Sequence, residues 1–218
     1  MTVLSTVTYE VKPGKFDQWL EMYCEAKQII EGLAVNLTSI RAFRWAIAGP
    51  MTGRVGVVFE YGDVTDWGET IIREENDEAF NKMVERGMGA DSPAKIVARG
   101  LHTEIVPGAG NGQDSVIQIA TGRIRPGKRQ GFLNQVEGAN PKFIETGAER
   151  VRHFMVAVGG PNTGLNYAAI EYRDMAAFGE SWHKRNSDPE WVKGVEQLRA
   201  PDGPYDPEGI TLLTEIQA

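Results

Sequence analysis

The sequence predicts an α+β fold built from two tandem repeats, each with the element order β-α-β-β-α-β. Three observations lead to this prediction. A turn is written twice, as "GPMTG" at residues 49–53 and "GPNTG" at 160–164. One offset aligns many further positions of the two halves, and both halves show the same succession of strand and helix patterns. A duplicated structural unit explains all three.

The offset between the two turns is 111 residues, the distance from Gly49 to Gly160. The same offset aligns further pairs, among them Arg41 with Arg152, Phe43 with Phe154, Glu60 with Glu171, Asp63 with Asp174 and Glu104 with Glu215. Chance matches would be scattered over many offsets. We therefore treat the duplication as a property of the whole chain.

The duplication divides the chain into repeat 1 (residues 1–107), a linker (108–114) and repeat 2 (115–218). The linker sequence "GAGNGQD" is rich in glycine and polar residues, and it holds nothing that would pack in a core. Such a composition is typical of a connection between structural units.

Each repeat begins with an alternating strand, "STVTYEV" or "VIQIATGRI", that ends at a Pro-Gly turn. Helical spacing follows in repeat 1, and then two strands flank the duplicated turn. The segment "NSDPEW" (186–191) predicts a helix start, with Ser187 or Asp188 as the cap and proline in the first turn. A last strand, "LHTEI" or "LLTEI", closes each unit, which gives the ferredoxin-like split motif.

The chain resembles tandem dimeric α+β-barrel proteins, the group that holds antibiotic-biosynthesis-type monooxygenases, EthD-like and NIPSNAP-like proteins, and chlorite dismutase relatives. The resemblance is carried by "RPGK" after the first strand, by "GPNTG", and by "FGESWHKRNSDPEW" over the second helical region. It implies that the two ferredoxin-like repeats pack sheet to sheet as an internal dimeric α+β barrel. Proteins of this fold differ widely in function, so the resemblance does not name a reaction.

Composition excludes several classes of partner. With 23 basic and 30 acidic residues, the formal net charge is −7, and no basic stripe is present. We therefore expect neither nucleic acid nor an anionic membrane surface as a partner. The start lacks the features of a signal peptide, no apolar run would span a bilayer, and Cys24 is the single cysteine. A cytoplasmic location is expected.

Strand alternation suggests which residues face a cavity between the sheets. In repeat 1, we assign Phe43, Trp45 and Ile47 of one strand, and Val55, Val57, Phe59 and Tyr61 of the next, to the helix layer. The opposite, inter-sheet side then carries Arg44 and Glu60. In repeat 2, the inter-sheet side carries His153, Met155, Tyr167 and Glu171. His102, which alternates with Gly100 and Glu104, is a further candidate for this side.

Two interpretations of these residues stay open. In the structural one, Arg44 and Glu60 form a buried ion pair, and a backbone group or a tyrosine holds Glu171. In the functional one, His153 is a general base oriented by Glu171, Tyr167 polarises the substrate, and Arg44 pairs with an anionic substrate group. Glu60, His102 and Met155 would then line the substrate site.

The leading functional hypothesis is a small-molecule enzyme that acts on an apolar or aromatic substrate by acid–base or cofactor-independent oxygenase-type chemistry. The alternatives are a non-catalytic small-ligand-binding or structural barrel and a haem-binding barrel. We expect no cofactor and no protein-built metal site, since the histidines lack metal-ligand spacing. A small apolar molecule is the expected partner, and homo-oligomer formation is expected through exposed strand edges or helices. The cluster "REENDE" (73–78) is interpreted as a solvated helix junction.

Overall fold

A computed structural model describes residues 1–111 and 115–217. Its strands are β1 (Val3–Val11), β2 (Leu37–Ile47), β3 (Val55–Tyr61), β4 (Ala94–Gly110), β5 (Val116–Ile124), β6 (Arg150–Val158), β7 (Leu165–Tyr172) and β8 (Tyr205–Glu215). Its helices are α1 (Phe16–Leu33), α2 (Val64–Glu75), α3 (Glu78–Met88), α4 (Arg129–Glu145), α5 (Met175–Asn186) and α6 (Pro189–Arg199). No helix in the described ranges is both long and apolar enough to cross a membrane.

The helix starts follow their sequence signals. At α6, the predicted cap is Asp188, whose carboxylate accepts hydrogen bonds from the backbone N–H groups of Glu190 and Trp191. Pro189 occupies the first helical position, where its missing N–H costs nothing. Asp77 caps α3 in the same way, with its side chain accepting from the N–H of Phe80.

The eight strands form one closed antiparallel barrel, in the order β1-β3-β2-β8-β5-β7-β6-β4. Each repeat supplies four neighbouring strands in ferredoxin-like order, so the predicted fold class is confirmed. The two sheets are joined at both edges by backbone pairing, β2 with β8 and β4 with β6. Pairing at both junctions removes the open sheet edges that a four-stranded unit would expose.

The linker begins later than the composition indicates. β4 continues to Gly110 and pairs with β6 along its last residues, so positions 108–110 of the predicted linker are strand. Val106 of the same stretch is buried beside Phe132 and Tyr205. Residues 112–114 of the predicted linker lie outside the described residues.

The assignment of faces is correct for β3 and wrong for β2. In β3, Val55 and Val57 lie under the helices, as predicted. In β2, however, Ala42 is paired with Val57 and packs in that helix-side core, whereas Phe43 is paired with Gly56 and faces the barrel interior. Residues directly opposite in an antiparallel pair share a face, so β2 is turned relative to the prediction from Ile40 to Trp45, ahead of the register shift that precedes Ile47. Trp45 therefore also faces the interior.

Two reciprocal ion clusters lie in the barrel interior, one at each junction between the repeats. Arg41 of repeat 1 donates to Glu171 and Glu215 of repeat 2, each at 2.9 Å. Its counterpart Arg152 of repeat 2 donates to the equivalent acids of repeat 1, Glu60 and Glu104, each also at 2.9 Å. Buried charges are tolerated when they are paired in this way.

Candidate functional site

The structure divides the sequence-predicted site residues between the two faces of the barrel wall. Tyr167 is paired with Phe154, and Glu171 reaches Arg41, so both point into the interior. His102 joins them, because its ring lies 5.4 Å from that of Tyr167 in an edge-to-face contact. Glu60 is also interior, as its bond to Arg152 shows.

His153 lies on the opposite face. It is paired with Ala168 rather than Tyr167, and its Nε2 is 2.8 Å from Oδ1 of Asn140 in α4. Burial lowers the pKa of His153 to about 4, which leaves the imidazole neutral and weakly basic at pH 7. The predicted arrangement of His153 with Tyr167 and Glu171 is therefore not formed.

Arg44 and Met155 also lie outside the barrel interior. Arg44 is paired with Val55, and its guanidinium lies 4.5 Å from the ring centroid of Phe16 in α1. The predicted Arg44–Glu60 ion pair is thus wrong, because Arg152 takes that place. Met155 is paired with Asn166 on the helix side.

The structure contains a cavity on the helix side of repeat 1, with a volume of about 460 Å³. We call it the helix-side cavity. It lies between the outer face of β1, β3 and β4 and the helices α1, α2 and α3. Its lining includes Val7, Tyr9, Trp19, Met22, Tyr23, Ala26, Lys27, Val57, Phe59, Tyr61, Trp67, Ile71, Glu74, Phe80, Met83, Met88, Ile96 and Arg99. This volume and apolar character suit a small organic molecule.

Aromatic side chains form much of the cavity wall. Trp19 and Tyr23 of α1 stack with ring centroids 5.7 Å apart, and Tyr9 of β1 meets Trp19 edge to face. Burial raises the pKa of the Tyr9 and Tyr61 hydroxyls, and raises that of Tyr23 to about 12. The three hydroxyls are therefore protonated at neutral pH, where they donate hydrogen bonds.

Glu74 of α2 places a carboxyl group in this apolar wall. It is only 7% exposed. Within the described chain, no side chain or backbone group hydrogen-bonds or ion-pairs with its carboxylate. Burial raises the pKa of Glu74 to about 7, and the positive charge of Arg99 opposes part of that rise. A buried carboxyl with a pKa near neutrality is typical of a group that transfers protons.

Two cations share the cavity with Glu74. Arg99 of β4 lines the cavity together with Tyr9 and Glu74, and its positive charge lowers the pKa of both groups. Lys27 of α1 lines the same space. Arg99 is exposed whereas Glu74 is buried, so the guanidinium lies nearer to solvent and the carboxyl deeper.

Repeat 2 supplies one edge of the cavity. Val158 ends β6, Gly159 follows it, and Gly160 begins the duplicated turn; these residues line the cavity next to Leu101 of β4. Val158 is 63% exposed, as is the equivalent residue Ile47 of repeat 1. The cavity of repeat 1 is therefore completed by the other repeat.

The resemblance to chlorite dismutase relatives raises the question of haem, which needs an axial ligand such as histidine. The residues do not fit a histidine-ligated haem in the helix-side cavity, because no histidine is among the described lining residues. His102 Nε2 is 2.9 Å from the hydroxyl of Thr6 in the interior, His153 contacts Asn140, and His183 is on the exposed side of α5. Among residues 1–111 and 115–217, no group of three or more His, Cys, Asp or Glu could hold a metal ion.

Sequence reasoning missed Glu74, because it interpreted "REENDE" as a solvated junction. The structure corrects that interpretation for Glu74. Trp67, Ile71 and Glu74 follow one another at intervals of four and three residues along α2, and so share one helix face. That spacing next to Trp67 is the signal that would have identified the buried carboxyl.

Comparison with known proteins supports the architecture. A family model described as NIPSNAP matches residues 117–201, which lie in repeat 2. No curated protein matches the chain. Together with the barrel topology, the match confirms the predicted resemblance to tandem dimeric α+β-barrel and NIPSNAP-like proteins.

Several solved structures share the fold over nearly the whole chain. A protein of Fusobacterium nucleatum assigned as a monooxygenase superposes with a TM-score of 0.65 at 12% identity, covering 99% of this chain and 93% of its own. An anthrone oxidase-like protein gives 0.63 at 12% identity, with 99% and 92% covered. A protein of Lactobacillus acidophilus, also assigned as a monooxygenase, gives 0.60 at 12%, with 99% and 94% covered. At these identities, the likeness establishes the fold alone.

Proposed function

We propose that the protein is a small-molecule enzyme that binds an apolar, ring-bearing substrate in the helix-side cavity and uses Glu74 for proton transfer. The single observation that carries this proposal is the position of Glu74, a buried carboxyl without a hydrogen-bonding partner among the described residues, in an aromatic cavity of about 460 Å³. A structural acid would be paired or exposed, since burial of a charged group is costly.

In the proposed chemistry, the Glu74 carboxylate removes a proton from an acidic O–H or C–H group of the bound ring compound. With a pKa of about 7, the base form and the acid form are both populated at neutral pH, so one group takes the proton and returns it. The hydroxyls of Tyr9, Tyr23 and Tyr61 are available to donate to the oxygen that becomes negative. Return of the proton to another carbon gives an isomerisation.

The same proton removal also begins an oxygenation without a cofactor. The electron-rich anion would react with O2, and the balanced overall change converts a ring CH2 group and O2 into a C=O group and water. The names of the similar structures, monooxygenase and anthrone oxidase-like protein, are consistent with this second outcome. Oxygen consumption distinguishes it from isomerisation, which consumes none.

The test is a screen of phenols, anthrone-type ketones and other ring compounds for turnover by the purified protein and by Glu74→Gln. We expect at least one compound to be converted, and we expect Glu74→Gln to lose about 10²- to 10⁴-fold in kcat while it still binds the compound. Binding without turnover by any compound would favour the non-catalytic ligand-binding alternative. An unchanged kcat in Glu74→Gln would remove Glu74 from the reaction, and a Soret band after titration with haem would favour the haem-binding alternative.

A further inference from the structure

Basic side chains outnumber acidic ones in the lining of the helix-side cavity. Among the described lining residues, only Lys27, Glu74 and Arg99 carry charged side chains. The chain as a whole has more acids than bases, 30 against 23, yet two of these three groups are basic. The cavity therefore departs from the rest of the molecule in the sign of its charge.

Neither cation is neutralised within the described chain. Of the six arginines in the described strands, Arg41, Arg123 and Arg152 each contact a carboxylate within 4 Å. Arg99 and Lys27 form no ion pair or hydrogen bond with any described residue. The charge of Arg99 lowers the pKa of Glu74, but the two side chains form no ion pair within 4 Å, so Arg99 keeps its donors available.

We propose that the ligand of the helix-side cavity is an aromatic organic anion, whose negative group lies against Arg99 at the cavity opening while its ring lies on the Trp19–Tyr23 stack. This inference rests on the proposed function, because it names the class of compound that the same cavity takes. A guanidinium presents paired N–H donors that match a carboxylate or a sulfonate, and it is well suited to a group held near an aromatic surface. Lys27 adds a second positive charge and raises the local potential for an anion.

The experiment compares two fluorescent probes that share one ring system and differ in charge. 8-Anilinonaphthalene-1-sulfonate carries a sulfonate, whereas N-phenyl-1-naphthylamine lacks it. Both are titrated against the wild-type protein and three variants. Arg99→Gln removes the proposed contact. Lys95→Gln makes the same change of net charge at an exposed residue of β4 that does not line the cavity. Ala26→Phe fills the cavity from α1, and thermal melting verifies that each variant is folded.

We expect the wild-type protein to bind the sulfonate more tightly than the neutral amine. We expect Arg99→Gln to weaken the sulfonate about fivefold, a size typical of a partly exposed ion pair, and to leave the amine within about twofold. Lys95→Gln should change neither. Raising the salt concentration should weaken only the sulfonate, because exposed charges are screened.

The outcomes distinguish a failure of the anion preference from a failure of the proposed function on which it rests. Suppose that both probes bind the wild type, that Ala26→Phe weakens the binding of both, and that Arg99→Gln changes neither. The cavity then binds apolar molecules, but the anion preference is wrong. If Lys95→Gln weakens the sulfonate as much as Arg99→Gln, the effect is one of net charge and the contact at Arg99 is again wrong. If neither probe binds, or if Ala26→Phe leaves both unchanged, the cavity itself is not a binding site.

Discussion

The two repeats share one topology but differ in the side-chain packing beneath their helices. Repeat 1 leaves that space open and places Glu74 in its wall. The residue at the equivalent position of repeat 2, 111 residues further on, is Arg185. Arg185 is 2% exposed, and its guanidinium lies 4.6 Å from the ring centroid of Phe143 and 5.6 Å from that of Trp191. In repeat 2, therefore, a buried arginine packed against aromatic rings stands at the position that carries the cavity carboxyl in repeat 1.

A second difference between the repeats is the size of the side chain at Tyr205. Tyr205 stacks on Phe132 with ring centroids 5.0 Å apart, and it lies so close to Gly122 that a Cβ there would fall 2.4 Å from its ring. Repeat 1 has the small residue Ala94 at the position equivalent to Tyr205. The Tyr205 ring and the backbone carbonyl of Asp206 thus leave no room for a side chain at position 122, whereas Ala94 lines the cavity of repeat 1. The two repeats keep the same strand order, and at these positions they differ in side-chain size and charge.

The largest effect is expected where the repeats are alike, at the reciprocal ion clusters. Arg152→Met would leave Glu60 and Glu104 without their cation, and Arg41→Met would do the same to Glu171 and Glu215. Each change is expected to cost about 3–5 kcal/mol of unfolding free energy, because it leaves buried or half-buried interior carboxylates without their cation. Urea denaturation measures the loss.

The matched control for these variants is Arg173→Met, which removes an exposed ion pair between Arg173 and the neighbouring Asp174. It should stay within about 0.5 kcal/mol of the wild type. If only one of the two interior variants is destabilised, the clusters are not equivalent and the symmetry of the two junctions is confined to geometry.

The next effect separates the helix-side regions of the repeats. Arg185→Ala is expected to cost about 2–4 kcal/mol, because it leaves a cavity and removes the hydrogen bonds that the guanidinium donates to Ser181 and Thr146. Glu74→Ala should cost less than about 1 kcal/mol at pH 8, since no described group bonds to the carboxylate. Equal losses in urea denaturation would mean that Glu74 is a structural group like Arg185.

The third prediction concerns the pH dependence that only repeat 1 should show. The Glu74 carboxyl keeps its proton up to a pKa of about 7 in the folded protein, against a usual value of 4.5. Between these two values the folded state binds more protons than the unfolded state, so this group makes stability fall as the pH rises. Between pH 5 and pH 8, we expect the unfolding free energy of the wild type to fall by about 1–2 kcal/mol more than that of Glu74→Gln. This is less than the full pKa shift implies, because the cavity admits water. Chemical denaturation at both pH values measures the change, and a pH-independent difference would contradict it.

The smallest effect is expected at the two copies of the turn. Val158 and Ile47 are equivalent residues, both 63% exposed, but only Val158 is among the described lining residues of the cavity. Val158→Ser should weaken binding of N-phenyl-1-naphthylamine about two- to threefold through lost apolar contact. Ile47→Ser should leave the affinity unchanged, as measured by fluorescence titration. An equal effect of the two variants would show that Val158 does not contact the ligand.

How far the sequence predicts the site depends on the strand. In β3, one side is continuously apolar, so its face could be assigned. In β2, Ala42 and Phe43 are both apolar, and alternation alone does not tell which of them faces the helices. The same one-residue ambiguity led to the wrong prediction that His153 faces the interior. In the structure it faces Asn140 on the helix side. Homo-oligomer formation stays a prediction.

The sequence by itself determined the duplication, the order of elements and the helix caps, because these depend on local spacing and on residues close together in the chain. Only the tertiary structure decided which face of each strand is interior, how Arg41 and Arg152 cross between the repeats, and where a cavity opens. These features depend on side chains that are far apart in sequence meeting in one volume. Whether a position lines a cavity, as Glu74 does, or packs against aromatic rings, as Arg185 does, depends on tertiary packing and charge, and spacing along the chain does not encode it.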